Sequence, residues 1–166
     1  ALALLAYLAV TGQPHTRLSL AALLWPAHEP GAARGEPRRM LWVLNKSLGR
    51  GWLVADQETI QLIPQPGLWL DIARFRELLA PCQRHSHPIG QICLPLFTEA
   101  VELMHGGFLA GFTLPDSPDF DTWQAFETES LRRALASALE RLVQLLLQSG
   151  EIGETAINYA RRWLAL

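Results

Sequence analysis

The sequence predicts a mainly α-helical chain. Its first part reads as a winged helix-turn-helix with a short β-hairpin wing, and its second as an all-α domain. Three observations predict this. Residues 16–49 read as a short helix, a turn and a longer helix that carries Arg38, Arg39 and Lys46. Two short β-prone runs then flank Asp56-Gln57-Glu58. Beyond a Pro/Gly hinge at 64–67, apolar residues recur at helical spacing.

Each element has a local cause. Residues 1–10, ALALLAYLAV, form a first helix, stopped by Thr11-Gly12-Gln13-Pro14. Thr16 or Ser19 caps a second helix that runs to Leu24, because a hydroxyl satisfies an orphan backbone N–H. Trp25-Pro26 ends it. A third helix runs to Leu48, with Gly49 as its C-terminal cap. On this helix Leu41, Leu44 and Leu48 share one face, and Arg39, Trp42 and Lys46 fall opposite. Pro37 is tolerable only in the first turn, so the helix starts near Glu36. Residues 52–55 and 59–63 form the two strands of a hairpin. The predicted domains are 1–66 and 67–166.

The second domain opens with a helix over 71–79 and continues with one over 92–104. An irregular Gly/Pro-rich stretch covers 106–118. Ser117-Pro118 then starts a long helix ending near Ser149, with Phe120, Trp123, Leu131, Leu135, Leu139, Leu142 and Leu146 in helical period. Asp116, Asp119 and Asp121 suit a helix N-terminus, where the dipole favours negative charge. Gly150 breaks this helix, and residues 154–166 begin an antiparallel partner. The pair, with Gly150, Ala156 and Ala160, is like one tetratricopeptide repeat. A single repeat cannot bury its faces alone.

Composition narrows the function. Apolar residues make up 49% of the 166, enough for a real core. The net charge of −2 does not mark the whole chain as a polyanion binder, yet the charge is uneven. Residues 1–66 carry +2 and residues 67–166 carry −4. Between Arg34 and Arg50 only Glu36 opposes the basic residues. A local basic stripe on a near-neutral protein is the footprint of a small DNA contact. The apolar opening run is too short to span a bilayer, which needs about 20 residues, so no membrane partner is expected. Two cysteines without an export signal point to a reducing, cytoplasmic setting.

Together these residues resemble a family. Leu23-Leu24-Trp25-Pro26, Ala33-Arg34 ahead of Arg38-Arg39, Leu41 with Leu44, and Leu48-Gly49 stand in its order. So do Asp71 with Phe75, Gly106, Phe108-Leu109-Ala110-Gly111-Phe112, Trp123 and Ala160-Arg161-Arg162. The chain resembles SARP-type bacterial transcriptional activators, which join an OmpR-like winged helix to a tetratricopeptide-like bacterial transcriptional activation domain. The family's N-terminal sheet has no counterpart here, and the helical domain reads as truncated at its C-terminus. The resemblance implies double-stranded DNA as one partner. It implies RNA polymerase, or self-association, as the partner of the helical domain. Neither role requires a cofactor. The chain departs from the family's pattern at Glu36-Pro37, Trp42, Val43 and Asn45.

The candidate DNA contacts are Arg34, Arg38, Arg39, Trp42, Lys46 and Arg50, with Arg34 and Arg50 as backbone clamps. Arg39 points most directly away from the leucine stripe, which makes it the candidate base reader. Trp42 either stacks on a sugar or thymine methyl, covers the wing, or packs against the helical domain and occludes the surface. The alternative function is a protein-interaction module whose winged helix no longer binds DNA. Cys82, His85, His87 and Cys93 offer zinc four thiol and imidazole groups, although the spacing is that of no standard finger. Their other reading is an ordinary connecting loop with two unpaired cysteines. No phosphate loop, nucleophile elbow or zinc-protease motif is present, so no enzyme is expected.

Overall fold

A computed structural model describes residues 1–26, 36–49, 51–84, 91–150 and 153–166. The fold is mainly helical with one small antiparallel sheet. The chain forms two compact units. One comprises Ala1–Leu68 with Gly111–Gln124, the other Trp69–Ala110 with Ala125–Leu166.

In the first unit, helix α1 spans Leu2–Thr11. Gly12 ends it in the left-handed region (φ 64°), which a Cβ would strain, and its N–H donates to the Leu8 carbonyl at 3.1 Å. Strand β1, His15–Thr16, follows. Helix α2, Arg17–Leu24, is capped by Thr16, whose Oγ1 accepts from the Ser19 N–H at 3.0 Å. Helix α3 is Glu36–Leu48. Pro37, Leu41 and Leu44 are buried on one face of it, and Leu48 is half-buried. Burying a leucine contributes roughly 1.5–3 kcal/mol, so this stripe fixes the rotation of α3 and leaves its opposite face in water.

Strands β2, Leu53–Ala55, and β3, Thr59–Leu62, form the hairpin. Leu53 faces Leu62 and Ala55 faces Ile60. On its other edge β3 pairs with β1, His15 opposite Ile60, so the sheet order is β1-β3-β2. The sequence gives no sign of β1, because two residues have no periodicity of their own. The hairpin turn is held by Asp56, whose Oδ1 accepts from the Glu58 and Thr59 N–H groups at 2.7 and 2.6 Å.

Residues 111–124, expected in the second domain, belong to this first unit. The cause is aromatic packing. Phe112, Phe120 and Trp123 run in edge and tilted contacts, and Trp123 stands 4.9 Å from Tyr7 of α1, edge-on. The buried Ser117 donates its hydroxyl to the Leu24 carbonyl at 3.1 Å, which ties the segment to the end of α2.

The second unit contains helices α4, Asp71–Arg84, and α5, Leu94–Leu103, the latter preceded by a 3-10 turn at Gln91–Cys93. Helix α6, Pro118–Gln148, contributes its residues from Ala125 onward, and α7 is Glu154–Leu164. The expected end of α4 at Leu79 is too early, since the helix continues through Pro81. A proline costs a helix interior one hydrogen bond and some crowding. Here the run Phe75, Leu78, Leu79 and Cys82, all buried, outweighs it in the last turn. These residues share a core with Phe97, Val101, Leu131, Leu139, Leu142 and Ala156.

Candidate nucleic-acid interface

Helix α3 presents Arg38, Arg39, Trp42 and Lys46 on its solvent side, all exposed. Arg39, Trp42 and Lys46 sit opposite the buried Pro37, Leu41 and Leu44, as the 3.6-residue period requires, and Arg38 flanks them. Trp42 is 64% exposed, so most of its indole faces solvent. The ammonium of Lys46, one turn later, stands 5.1 Å from the Trp42 ring centre, a cation–π distance. The contact holds a flat indole and a positive charge together on the surface. Arg34 and Arg50 lie outside the described residues.

The hairpin turn sits beside this helix. Arg38, Arg17, Leu18 and the turn residues Asp56, Gln57 and Glu58 line a shared cleft of about 910 Å³. Arg17 Nε donates to the Asp56 carbonyl at 2.9 Å, and the Arg17 N–H to the Glu58 carbonyl at 2.8 Å. Arg17 is a cation at this surface that the reading of the third helix alone overlooks. Its signal in the sequence is its position directly after the capping Thr16.

The turn is acidic. The Thr59 N–H, then the Glu58 N–H and the Thr59 hydroxyl, hold the Asp56 carboxyl below its ordinary range, so it is ionised at neutral pH. Glu58 is exposed next to it. A phosphate approaching the turn meets two carboxylates, whereas one approaching the middle of α3 meets Arg39 and Lys46. The arrangement favours contact through the helix, with the turn steering by repulsion.

The second candidate cluster is brought together in part. Cys82 and Cys93 are both free and buried in the second unit's core. Burial, then the neighbouring Cys93, pushes the Cys82 thiol up to about 12. A metal would have to displace a proton from a thiol that its surroundings keep neutral. His85 and His87 lie outside the described residues. Among the described residues, no three histidine, cysteine or acidic side chains are grouped to hold a metal. Nor, among them, is any helix long and apolar enough to cross a membrane.

No family model matches the chain, and no curated protein matches it. The likeness to SARP-type activators therefore rests on the quoted residues and their spacing.

Proposed function

We propose that this chain is part of a SARP-type bacterial transcriptional activator, acting in the cytoplasm, with a winged helix that places α3 in a DNA major groove. The observation that carries this reading is the shared exposed face of Arg38, Arg39, Trp42 and Lys46, set opposite a buried stripe. The element order α1-β1-α2-α3-β2-β3 supports a winged helix, with the Asp56 hairpin as its wing. Arg39 reads a base edge, Arg38 and Lys46 neutralise phosphates, and Trp42 stacks on a sugar or a thymine methyl. The helical unit contacts RNA polymerase or a second copy. Neither task involves catalysis or a required cofactor. Should zinc occupy the loop after α4, Cys82 and Cys93 would supply its sulfur ligands.

The test is fluorescence anisotropy of the chain on a labelled generic duplex across a salt series. Log affinity should fall linearly with log salt, by about 0.9 for each neutralised phosphate. Lys46→Ala should flatten that slope by about 1. Absence of binding at low salt would sink the proposal.

A second reading has its own support. The carboxylates of Asp56 and Glu58 and the exposed Trp42 suit a protein partner better than a polyanion. In that case the chain is an interaction module with a winged helix that no longer binds DNA. Salt-insensitive binding of a protein partner, abolished by Trp42→Ala, would mark it.

A further inference from the structure

The second unit contains a cavity of about 560 Å³. Its volume lies within the roughly 300–1,000 Å³ of small-molecule pockets. The α5–α6 connection supplies His105 and Phe108 to its wall, α6 supplies Leu131, Arg132 and Leu135, and α7 supplies Arg162. Leu131 and Leu135 are buried, and Phe108 packs against the same core. One side is therefore apolar and anchored.

The other side is cationic, and its cations are fixed. Arg132 donates Nε and Nη2 to the two oxygens of Glu129, at 2.7 and 2.9 Å. Arg162 donates Nη2 to the Met104 carbonyl. A guanidinium has five N–H donors in a rigid fork, so a group held through one edge keeps others for a ligand. Glu129 also binds Arg133 at 2.6 Å, so a single carboxylate is shared between two arginines. Glu102, at the rim, accepts the Tyr159 hydroxyl at 3.0 Å. Two lining guanidinium groups, Arg132 and Arg162, against this one lining carboxylate favour an anion.

Leu166 also lines the cavity, and its backbone oxygen accepts from Arg132 Nη1 at 3.3 Å, so Arg162 keeps more donors for a ligand than Arg132 does. We infer that the cavity binds a small amphipathic carboxylate, with the head group at Arg162 and Arg132 and the apolar tail over Phe108, Leu131 and Leu135. A monoanion fits better than a dianionic phosphate ester, because Glu129 already neutralises much of Arg132. Such a ligand would give the helical unit a chemical signal to sense. The site lies wholly within the second unit, so it stands or falls independently of DNA binding.

The experiment is calorimetric titration of the whole chain with decanoate, decanol and decyl phosphate, alongside amide NMR shifts. Saturable decanoate binding is expected, with decanol at least about 10-fold weaker, the usual cost of losing a charge-assisted hydrogen bond. Shifts should concentrate at Gly106, Gly107 and Phe108. Arg162→Gln should weaken decanoate about 10-fold or more. Since Arg162 also ties to Met104, a second variant, His105→Glu, adds negative charge at a side chain that is 75% exposed. It should weaken decanoate several-fold with an unchanged melting temperature. Equal affinity for decanol and decanoate, or variants that bind like the parent, would overturn the inference. Tighter binding of decyl phosphate would overturn the choice of carboxylate.

Discussion

The cations of the two units are used differently. In the second unit, Arg74 pairs with Glu99 and Arg76 with Glu127, each at 2.7 Å, and Arg132 and Arg133 share Glu129. In the first unit, Arg38 and Lys46 stand on the outer face of α3 with no carboxylate partner among the described residues, and Lys46 lies over an indole instead. The difference teaches that a count of arginines says little. Arg74 and Arg76 bridge neighbouring helices through their carboxylates, and Arg132 and Arg133 brace their own helix, while Arg38 and Lys46 present a potential to an outside anion. This is why a chain of net charge −2 can still carry a polyanion contact.

The strongest way to break the contrast is to remove cations from both sides. Arg39→Ala with Lys46→Ala should lower affinity for a duplex on the order of 100-fold, at about 1–3 kcal/mol for a base contact and less for a phosphate contact. Its melting temperature should stay near that of the parent, since both side chains are exposed. Arg74→Ala in the second unit should leave duplex affinity unchanged. Equal losses from the two variants would show that only overall charge matters.

The units should also respond to pH in opposite senses. Burial lowers the pKa of His15, whose ring stands 4.7 Å from Tyr7 and whose Nε2 lies 2.8 Å from Thr11 Oγ1. The unfolded chain then binds a proton more readily than the folded one, so stability is complete above about 6.5 and falls as pH drops through that value. Cys82 works the other way. Its thiol, pushed up to about 12, holds its proton in the folded state where the unfolded chain has lost it. Stability is therefore complete below about 8.5 and falls as pH rises beyond it. Melting temperatures from pH 5 to 10 should show both limbs. His15→Gln should flatten the acid limb and Cys82→Ala the alkaline one. Alkaline loss that survives Cys82→Ala would assign it to another group.

Much of the first unit is legible in sequence because its causes are local. Gly12 and Gly49 mark helix ends, and the leucines of α3 repeat at 3.6 residues, so the face that carries Arg39 and Lys46 follows by geometry. What the sequence hides is non-local. Strand β1 exists only because β3, far along the chain, pairs with it. The place of residues 111–124 depends on Tyr7 meeting Trp123. Helix α4 outlasts Pro81 because its buried stripe continues to Cys82. At the candidate interface the sequence leaves the exposure of Trp42 open, since a tryptophan on a basic face reads equally as contact or cover. The acid turn is visible as letters, but its bearing on phosphate needs Arg38 and Asp56 on one cleft. The cavity beside Arg162 combines residues from three elements and has no linear pattern.

A gentler test sharpens the contrast by adding rather than removing attraction. Glu58→Gln deletes one exposed carboxylate from the turn beside Arg38, while Asp56 keeps the hairpin closed through its bonds to the Glu58 and Thr59 N–H groups. The side-chain change leaves those backbone donors intact, so the fold should be unaffected. If DNA approaches α3 with the turn repelling phosphate, affinity should rise about two- to five-fold at low salt. The gain should fade as salt approaches 1 M, where screening reaches about 3 Å. The change should appear mainly in the association rate, as for a charge at the rim of an interface. The smallest effect belongs to the second unit. Arg133→Ala removes an exposed partner of Glu129 and should leave the melting temperature almost unchanged, because Arg132 still holds that carboxylate through both oxygens. If Arg133→Ala changed duplex affinity as much as Glu58→Gln, the paired cations of the second unit would belong to the DNA surface too, and the division of labour between them and the α3 cations would fail.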